Sequence, residues 1–186
     1  MMTDETLYQL AERVGKALKA KSMMMATAES CTGGWISQAV TAVPGSSEWF
    51  ERGFVTYTYI SKREMLGVNP DTLNQHGAVS EQTVHEMTAG ALDRSHAQVA
   101  VSVSGTAGPS GGTPQKPVGT VCFGWGVKGG TVQTTLRHFD GDREAVRRQA
   151  VVFALERVLA IVEAAAVAST GVTSAGYPRE RPTKPC

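Results

Sequence analysis

Apolar residues in the first part of the chain change their spacing twice, and each change predicts a new element. Between residues 4 and 20 they recur every three or four positions, which is typical of an amphipathic helix. An unbroken apolar run at 23–28 has the length and character of a strand buried on both faces. Helical spacing returns at 35–40 and stops at Pro44-Gly45. The pattern therefore predicts helix, strand and helix in succession.

The rest of the chain continues this alternation and then changes character. In chain order we predict a strand at 50–59, a short helix at 61–66, an irregular connection at 67–77, a helix capped by Ser80, a strand at 99–103, a hairpin of 118–127 with 131–139, and a final helix opened by Asp140-Gly141-Asp142. Early alternation with a late hairpin predicts an α/β fold, a three-layer α/β/α sandwich with a mixed, partly antiparallel sheet. We expect one domain over 1–165 and a disordered tail over 166–186, where Gly, Pro, Ser and Thr dominate.

Composition narrows the functional class. The chain has 186 residues, of which 41% are hydrophobic and 19% charged, as in an ordinary globular domain. The net charge is +1 and the charges are interspersed, which disfavours nucleic acid and anionic membranes as partners. No apolar run approaches the roughly 20 residues of a membrane span, and no apolar signal core follows the N-terminus. An odd count of 3 cysteines and 4 scattered histidines fit a cytoplasmic protein without a metal site.

The segment from Thr27 to Gly34 joins the first predicted strand to the second predicted helix. Such a turn aims backbone N–H groups outward at the positive end of the helix dipole, where they stabilise a developing oxyanion. Ser30 at that place can act as a nucleophile, or it can be a plain helix cap. Cys31 is a rival nucleophile, which we interpret as a small buried hydrophobe. Glu29 can orient the turn, pair with a base, or be exposed.

A glycine-rich loop follows the predicted strand at 99–103. It runs between two strands, and a dinucleotide or phosphate loop would have to open a helix, so both of those motifs are disfavoured. Ser104 and Thr106 place hydroxyls at the end of a buried strand, and ligands of open α/β sheets bind at such ends. Ser104 and Ser30 can therefore converge on one cleft. The alternative is a mobile surface loop.

A serine nucleophile needs a base, and no histidine pairs obviously with Ser30. Lys62 can serve if burial lowers its pKa, and Tyr57 can relay the proton. The alternatives are a strand aromatic and a solvated lysine. Arg143 and Arg147 are four residues apart on the last predicted helix and can grip a phosphate together, or they can form a solvated face.

Taken together these motifs resemble one family. The matching stretches are Thr27-Ala-Glu-Ser-Cys-Thr-Gly-Gly34, Gly53-Phe-Val-Thr-Tyr57, Lys62, Leu66-Gly-Val68, His76-Gly-Ala-Val-Ser80, Ser102-Val-Ser-Gly-Thr-Ala-Gly-Pro109, Lys116-Pro-Val-Gly-Thr120 and Gly141-Asp-Arg143 with Arg147. They run in order through nearly all of the predicted domain, and they resemble the CinA C-terminal domain family.

The resemblance implies an amidohydrolase that converts nicotinamide mononucleotide and water to nicotinate mononucleotide and ammonia. It implies an α/β/α homodimer that needs no metal or other cofactor. Its implied catalytic residues are Ser30, Tyr57 and Lys62. Its implied substrate-binding residues are Glu29, Cys31, Thr32, Gly33, Gly34, Ser104, Gly105, Thr106 and Arg147. The oxyanion would rest on N–H groups of residues 32–34 or 105–106. Longer family members carry a further N-terminal domain, so this chain looks like a stand-alone deamidase of pyridine-nucleotide recycling.

Two residues depart from the family's usual pattern. Tyr59 stands where Asn is common, so either Tyr57 or Tyr59 can be the tyrosine that meets Lys62. Thr106 stands where Ile is common and adds a hydroxyl beside the expected cleft. Two other functions stay open: a nucleotide-binding paralogue without catalysis, and a protein that acts on DNA, which the neutral charge disfavours.

Overall fold

A computed structural model of the protein describes residues 4–165. Its elements are α1 (Asp4–Ala20), β1 (Met25–Glu29), α2 (Trp35–Thr41), a 3-10 helix (Ser46–Glu48), β2 (Phe50–Val55), α3 (Tyr59–Leu66), α4 (Pro70–His76), α5 (Glu81–Asp93), β3 (Val99–Gly105), β4 (Thr120–Val127), β5 (Gln133–His138) and α6 (Arg143–Ala164). The predicted alternation of helices and strands is confirmed.

The five strands form one mixed sheet in the order β2-β1-β3-β4-β5. β2, β1 and β3 are parallel, and β4 and β5 continue the sheet as an antiparallel hairpin. β1 and β3 are buried along almost their whole length, as expected for central parallel strands covered on both faces. The carboxyl ends of the three parallel strands therefore meet at one edge of the sheet.

Two apolar cores lie between the sheet and its helices, one on each face of the sheet. The larger core packs α1, α2 and α6 against one face, and the smaller core packs α3, α4 and α5 against the other. The molecule is thus the three-layer α/β/α sandwich that the sequence predicts. Within residues 4–165, no helix combines the length and the apolar character that a membrane crossing requires.

Two predicted segments differ from the observed elements for local reasons. The predicted strand at 50–59 ends at Val55, because Thr58 and Ser61 form a capping box that starts α3 at Tyr59. The predicted connection at 67–77 contains α4, which Asn69 caps and in which Pro70 is the first residue. The last helix extends to Ala164, and the predicted tail over 166–186 lies outside the described residues.

Candidate active site

The end of β1 sets the position of the candidate nucleophile. Ser30 directly follows β1, and its N–H donates to the Val103 carbonyl at 2.9 Å, so the parallel pairing with β3 continues through it. On the other side the Thr56 N–H donates to the Glu29 carbonyl at 2.8 Å. Ser30 is therefore held between two strands before the chain turns into α2. Only 8% of its surface is exposed.

Lys62 reaches Ser30 from α3. Its Nζ lies 2.9 Å from the Ser30 Oγ and donates to the Thr56 carbonyl at 2.6 Å. The side chain is fully buried, and burial lowers the pKa of the amine to about 8. An amine with that pKa is partly neutral near pH 7 to 8, and its lone pair can then accept the Ser30 proton directly. The protein thus brings these two predicted residues into hydrogen-bond contact.

The Glu29 side chain lies at the same end of β1 as Ser30 but on the opposite face of the sheet. One carboxylate oxygen accepts from the Thr32 hydroxyl at 2.7 Å and the Ile36 N–H at 3.0 Å; the other accepts from the N–H and hydroxyl of Ser37. The carboxylate is fully buried and saturated by these donors at the start of α2. The Glu29 and Thr32 side chains bond to each other and so fix the turn. Their expected role in substrate binding stays a prediction.

The Cys31 side chain is also buried. Its side chain packs in the core beneath α1, α2 and α6, and burial raises the pKa of the thiol to about 12. A thiol with that pKa stays protonated and is a poor nucleophile. The interpretation of Cys31 as a buried hydrophobe agrees with this placement, and its expected substrate contact stays a prediction.

Two glycines complete the turn into α2. Gly33 and Gly34 have φ values of +63° and +93°, a left-handed conformation that glycine adopts without strain. The Gly33 N–H donates to the Ser30 carbonyl at 3.0 Å, so it is engaged inside the turn. The Thr106 N–H donates to the Thr120 carbonyl at 2.8 Å. These two expected oxyanion donors are therefore committed within the protein, and the N–H groups of Thr32 and Gly34 remain candidates.

Neither tyrosine is hydrogen-bonded to Lys62 in the described part of the chain. Tyr57 is 59% exposed, and its hydroxyl accepts from Arg143 at 3.1 Å. A second nitrogen of Arg143 donates to the Gly108 carbonyl at 2.8 Å, so this arginine ties Tyr57 to the glycine-rich loop. The Tyr59 hydroxyl accepts from the Ala78 N–H at 3.2 Å. The structure thus brings Ser30 and Lys62 together without a phenol between them.

Arg147 supports the turn from α6. Its guanidinium donates to the carbonyls of Cys31 and Thr32 at 3.0 and 2.8 Å and lies over the Trp35 ring, 5.2 Å from the centroid. An open cavity of about 480 Å³ lies beside it, lined by Gly33, Gly34, Trp35, Gln38, Arg143, Glu144 and Arg147. Both arginines predicted to grip a phosphate therefore border one cavity, although each already holds backbone carbonyls.

Two buried hydroxyls at this edge of the sheet have no hydrogen-bond partner among the described residues, those of Ser104 and Thr56. Ser104 was an expected site residue; Thr56 was missed. No sequence signal pointed to it, because the predicted strand at 50–59 places Thr56 in its interior. In the structure its position is equivalent to that of Ser30 on β1.

Comparison with known proteins decides the family. The sequence profile of the CinA C-terminal domain matches residues 7–162. The chain belongs to the CinA C-terminal domain family. Among curated CinA-type relatives, the nicotinamide-nucleotide amidohydrolase PncC of Enterobacter agglomerans is 56% identical over 158 residues, 85% of this chain and 96% of the relative. PncC of Escherichia coli K12 is 56% identical over 155 residues, 83% and 94% of the two chains.

Solved structures of the CinA family share this fold. The competence/damage inducible protein CihA from Agrobacterium tumefaciens superposes with a TM-score of 0.82 at 44% identity, covering 87% of this chain and 97% of that one. A CinA superfamily protein from Klebsiella pneumoniae gives a TM-score of 0.81 at 40% identity, with 84% and 98% coverage. The departures at Tyr59 and Thr106 fall outside the Ser30–Lys62 contact.

Proposed function

We propose that this protein is an amidohydrolase that converts nicotinamide mononucleotide and water to nicotinate mononucleotide and ammonia, with Ser30 as nucleophile and Lys62 as base. One observation carries the proposal: the fully buried Lys62 amine lies 2.9 Å from the Ser30 hydroxyl. The amidohydrolase names of relatives at 56% identity support the choice of substrate. The product would feed pyridine-nucleotide recycling.

The first half of the reaction forms an acyl-enzyme. Neutral Lys62 accepts the proton of the Ser30 hydroxyl while that oxygen attacks the carboxamide carbon. The Thr56 carbonyl, 2.6 Å from Nζ, holds the amine in place during this transfer. The positive charge of the pyridinium ring withdraws electrons from the carboxamide and makes it a better electrophile. The C–N bond then breaks, and the nitrogen leaves as ammonia once it has gained a proton.

The turn after Ser30 is suited to stabilise the oxyanion. The N–H groups of Thr32 and Gly34 lie in the turn between Ser30 and α2, and they are the proposed donors to the oxyanion. A single oxyanion donor typically contributes about 3 kcal/mol to lowering the barrier. Glu29 fixes this turn from the opposite face of the sheet and so preorganises the donors.

The second half of the reaction returns the enzyme to its starting state. Lys62 accepts a proton from a water molecule, which adds to the acyl carbon, and the Ser30–carbon bond then breaks. Ser30 recovers its proton from Lys62, and nicotinate mononucleotide leaves. Ser104, Gly105 and Thr106 are proposed to border the bound carboxamide. The cavity between Arg143 and Arg147 would take the 5′-phosphate, and a homodimer is the proposed assembly.

An ammonia-release assay with nicotinamide mononucleotide tests this proposal. Ser30→Ala should abolish release while the circular dichroism spectrum stays native, and release should persist in the presence of a chelator. Cys31→Ala, which removes the rival nucleophile next to Ser30, should keep activity within a few-fold. Ligand binding by wild-type protein without ammonia release would favour the silent paralogue. Full activity of Ser30→Ala would refute the serine nucleophile.

A further inference from the structure

Three hydroxyl residues occupy equivalent positions at the ends of the three parallel strands. The registers pair Glu29 with Val55 on β2 and with Val103 on β3. The next residues along the three strands are Thr56, Ser30 and Ser104, and backbone hydrogen bonds on both sides of Ser30 continue the pairing this far. Neighbouring strands lie about 4.8 Å apart. The three residues therefore form a row with Ser30 in the middle.

The Ser30 and Ser104 side chains of this row share one face of the sheet. Two positions earlier on β1 and β3, Ala28 packs in the core beneath α5, and the Ser102 hydroxyl donates to the Val84 carbonyl of α5. Side chains alternate along a strand, so Ser30 and Ser104 point to that same face. Lys62 contacts Ser30 from this side, which confirms the direction for the central residue.

The outer hydroxyls differ from other buried hydroxyls nearby. The Ser102 hydroxyl has two hydrogen-bond partners, Thr88 and the Val84 carbonyl. Ser104 is 1% exposed, yet its Oγ has no partner among the described residues, and the same holds for the Thr56 Oγ1. A buried unpaired hydroxyl costs stability, and native proteins retain few of them. An unpaired hydroxyl beside a nucleophile therefore points to a partner that arrives with the substrate.

Ser104 and Thr56 are not equivalent with respect to Lys62. The amine bonds to Ser30 and to the Thr56 carbonyl, so it occupies the Thr56 side of the row. Ser104 lies on the other side of Ser30, where a leaving group can depart without meeting the amine. The hydroxyls of Tyr57 and Tyr59 accept from Arg143 and from the Ala78 N–H, and among the described residues neither bonds to Ser30 or Lys62. Ser104 is thus the hydroxyl of this row that is free to serve the leaving nitrogen.

We propose that the Ser104 hydroxyl is the proton donor to the departing nitrogen. The inference rests on the proposed amide hydrolysis. As the C–N bond breaks, the Ser104 Oγ–H proton passes to nitrogen and ammonia leaves. The proton that Lys62 took from Ser30 then restores the Ser104 hydroxyl through one bridging water. The net transfer moves the Ser30 proton to ammonia, and Lys62 is neutral again for the attack of water.

Two substrates that differ only in their leaving group test this role. Nicotinamide mononucleotide releases ammonia, which must be protonated to leave, whereas the ethyl thioester of nicotinate mononucleotide releases a thiolate, which need not be. In Ser104→Ala we expect kcat/KM for the amide to fall at least about 100-fold, and for the thioester by less than about threefold. Ser104→Thr, which keeps a hydroxyl, should recover most of the amide activity. The melting temperature of Ser104→Ala should not fall, since no hydrogen bond is lost.

Ser102→Ala is the matched control, because it removes a buried hydroxyl two residues earlier on the same strand and on the same face of the sheet. It should leave the ratio of amide to thioester activity unchanged. Equal losses on both substrates in Ser104→Ala, or no loss on the amide, would overturn the proposal. So would an amide-selective loss in Tyr57→Phe that Ser104→Ala lacks. If wild-type protein releases no ammonia, the proposed function itself fails and this role falls with it.

Discussion

Two fully buried ionisable side chains, Glu29 and Lys62, flank the end of β1 from opposite faces of the sheet, and their surroundings differ. Within residues 4–165, Glu29 accepts four hydrogen bonds at the start of α2, while the Lys62 amine makes two, to Ser30 and to the Thr56 carbonyl. Hydrogen bonds from protein donors therefore replace the water that the buried carboxylate has lost. The water that the amine has lost is only partly replaced, and burial lowers the pKa of the amine to about 8. Glu29, whose hydrogen-bonding capacity is filled, has a structural role, whereas Lys62, whose capacity is only partly filled, remains reactive.

The largest expected effect comes from removing the reactive member. Lys62→Met keeps the length and burial of the side chain but has no proton acceptor, so kcat/KM should fall by roughly 10³-fold or more. The same change removes an amine whose burial disfavours its charge, so the melting temperature at pH 7 should be at or above the wild-type value. Calorimetry and an ammonia assay on the same samples check both. A clearly less stable but active variant would contradict the comparison.

Glu29→Gln should show the opposite signature. In wild-type protein each carboxylate oxygen of Glu29 accepts from two donors, one from the Thr32 hydroxyl and the Ile36 N–H and the other from the N–H and hydroxyl of Ser37. In the variant an NH₂ group replaces one of these oxygens and faces two donors without an acceptor between them. We expect the free energy of unfolding to fall by about 3 kcal/mol. Urea denaturation measures this loss. The folded fraction should keep a wild-type pH profile, because Lys62 is untouched. Unchanged stability would show that the Glu29 cluster is not structural.

The sequence predicted the elements well where the hydrophobic pattern was long. α1 begins and ends where predicted, and Ser80 caps α5 through the Thr83 N–H as expected. The helix Pro70–His76 was missed because its 7 residues hold one buried apolar side chain, Leu73, too few to produce a period. Its capping signals, Asn69 and Pro70, were visible but also fit a turn.

In the candidate site, too, some features were predicted from the sequence and others were not. The pairing of Lys62 with Ser30 followed from the need of a serine nucleophile for a base and from the resemblance to the CinA family. The meeting of strand ends at one edge of a sheet predicted only that Ser30 and Ser104 lie close together. The role of Glu29 did not follow, because alternation places it opposite Ser30 without saying which helix it meets. The partner of the Tyr57 hydroxyl, Arg143, is 86 residues away, and only the assembled fold decides such a contact.

The pH dependence tests the Lys62 side directly. Below a pKa of about 8 the amine is protonated and cannot accept the Ser30 proton. The kcat/KM of wild-type protein should therefore rise about tenfold per pH unit below that value and level off above it. The free energy of unfolding should also increase with pH. Between about 8 and 10.5 the unfolded lysine binds a proton that the folded one does not, so stability should increase with pH. Lys62→Met should lose this increase, and a rise that persists in it would assign the titration to another group.

Arg147→Lys tests whether the turn depends on support from α6 and should have the smallest effect. A lysine presents one ammonium and cannot hold the carbonyls of Cys31 and Thr32 together as the guanidinium does. The oxyanion donors beside them should become less well ordered, so we expect kcat/KM to fall about five- to tenfold, on the order of 1 kcal/mol.

The pH inflection near 8 should persist in Arg147→Lys, because Lys62 keeps both of its hydrogen bonds. The control is Arg148→Lys, since Arg148 also lies over Trp35 but its side chain bonds to Asp4 and Glu144. Measuring nicotinamide riboside beside the mononucleotide separates two roles of Arg147. An equal loss on both substrates supports the positioning of the turn. A further loss on the phosphorylated substrate would report the proposed contact of Arg147 with the phosphate, and an unchanged kcat/KM for the riboside would show that the turn does not depend on Arg147.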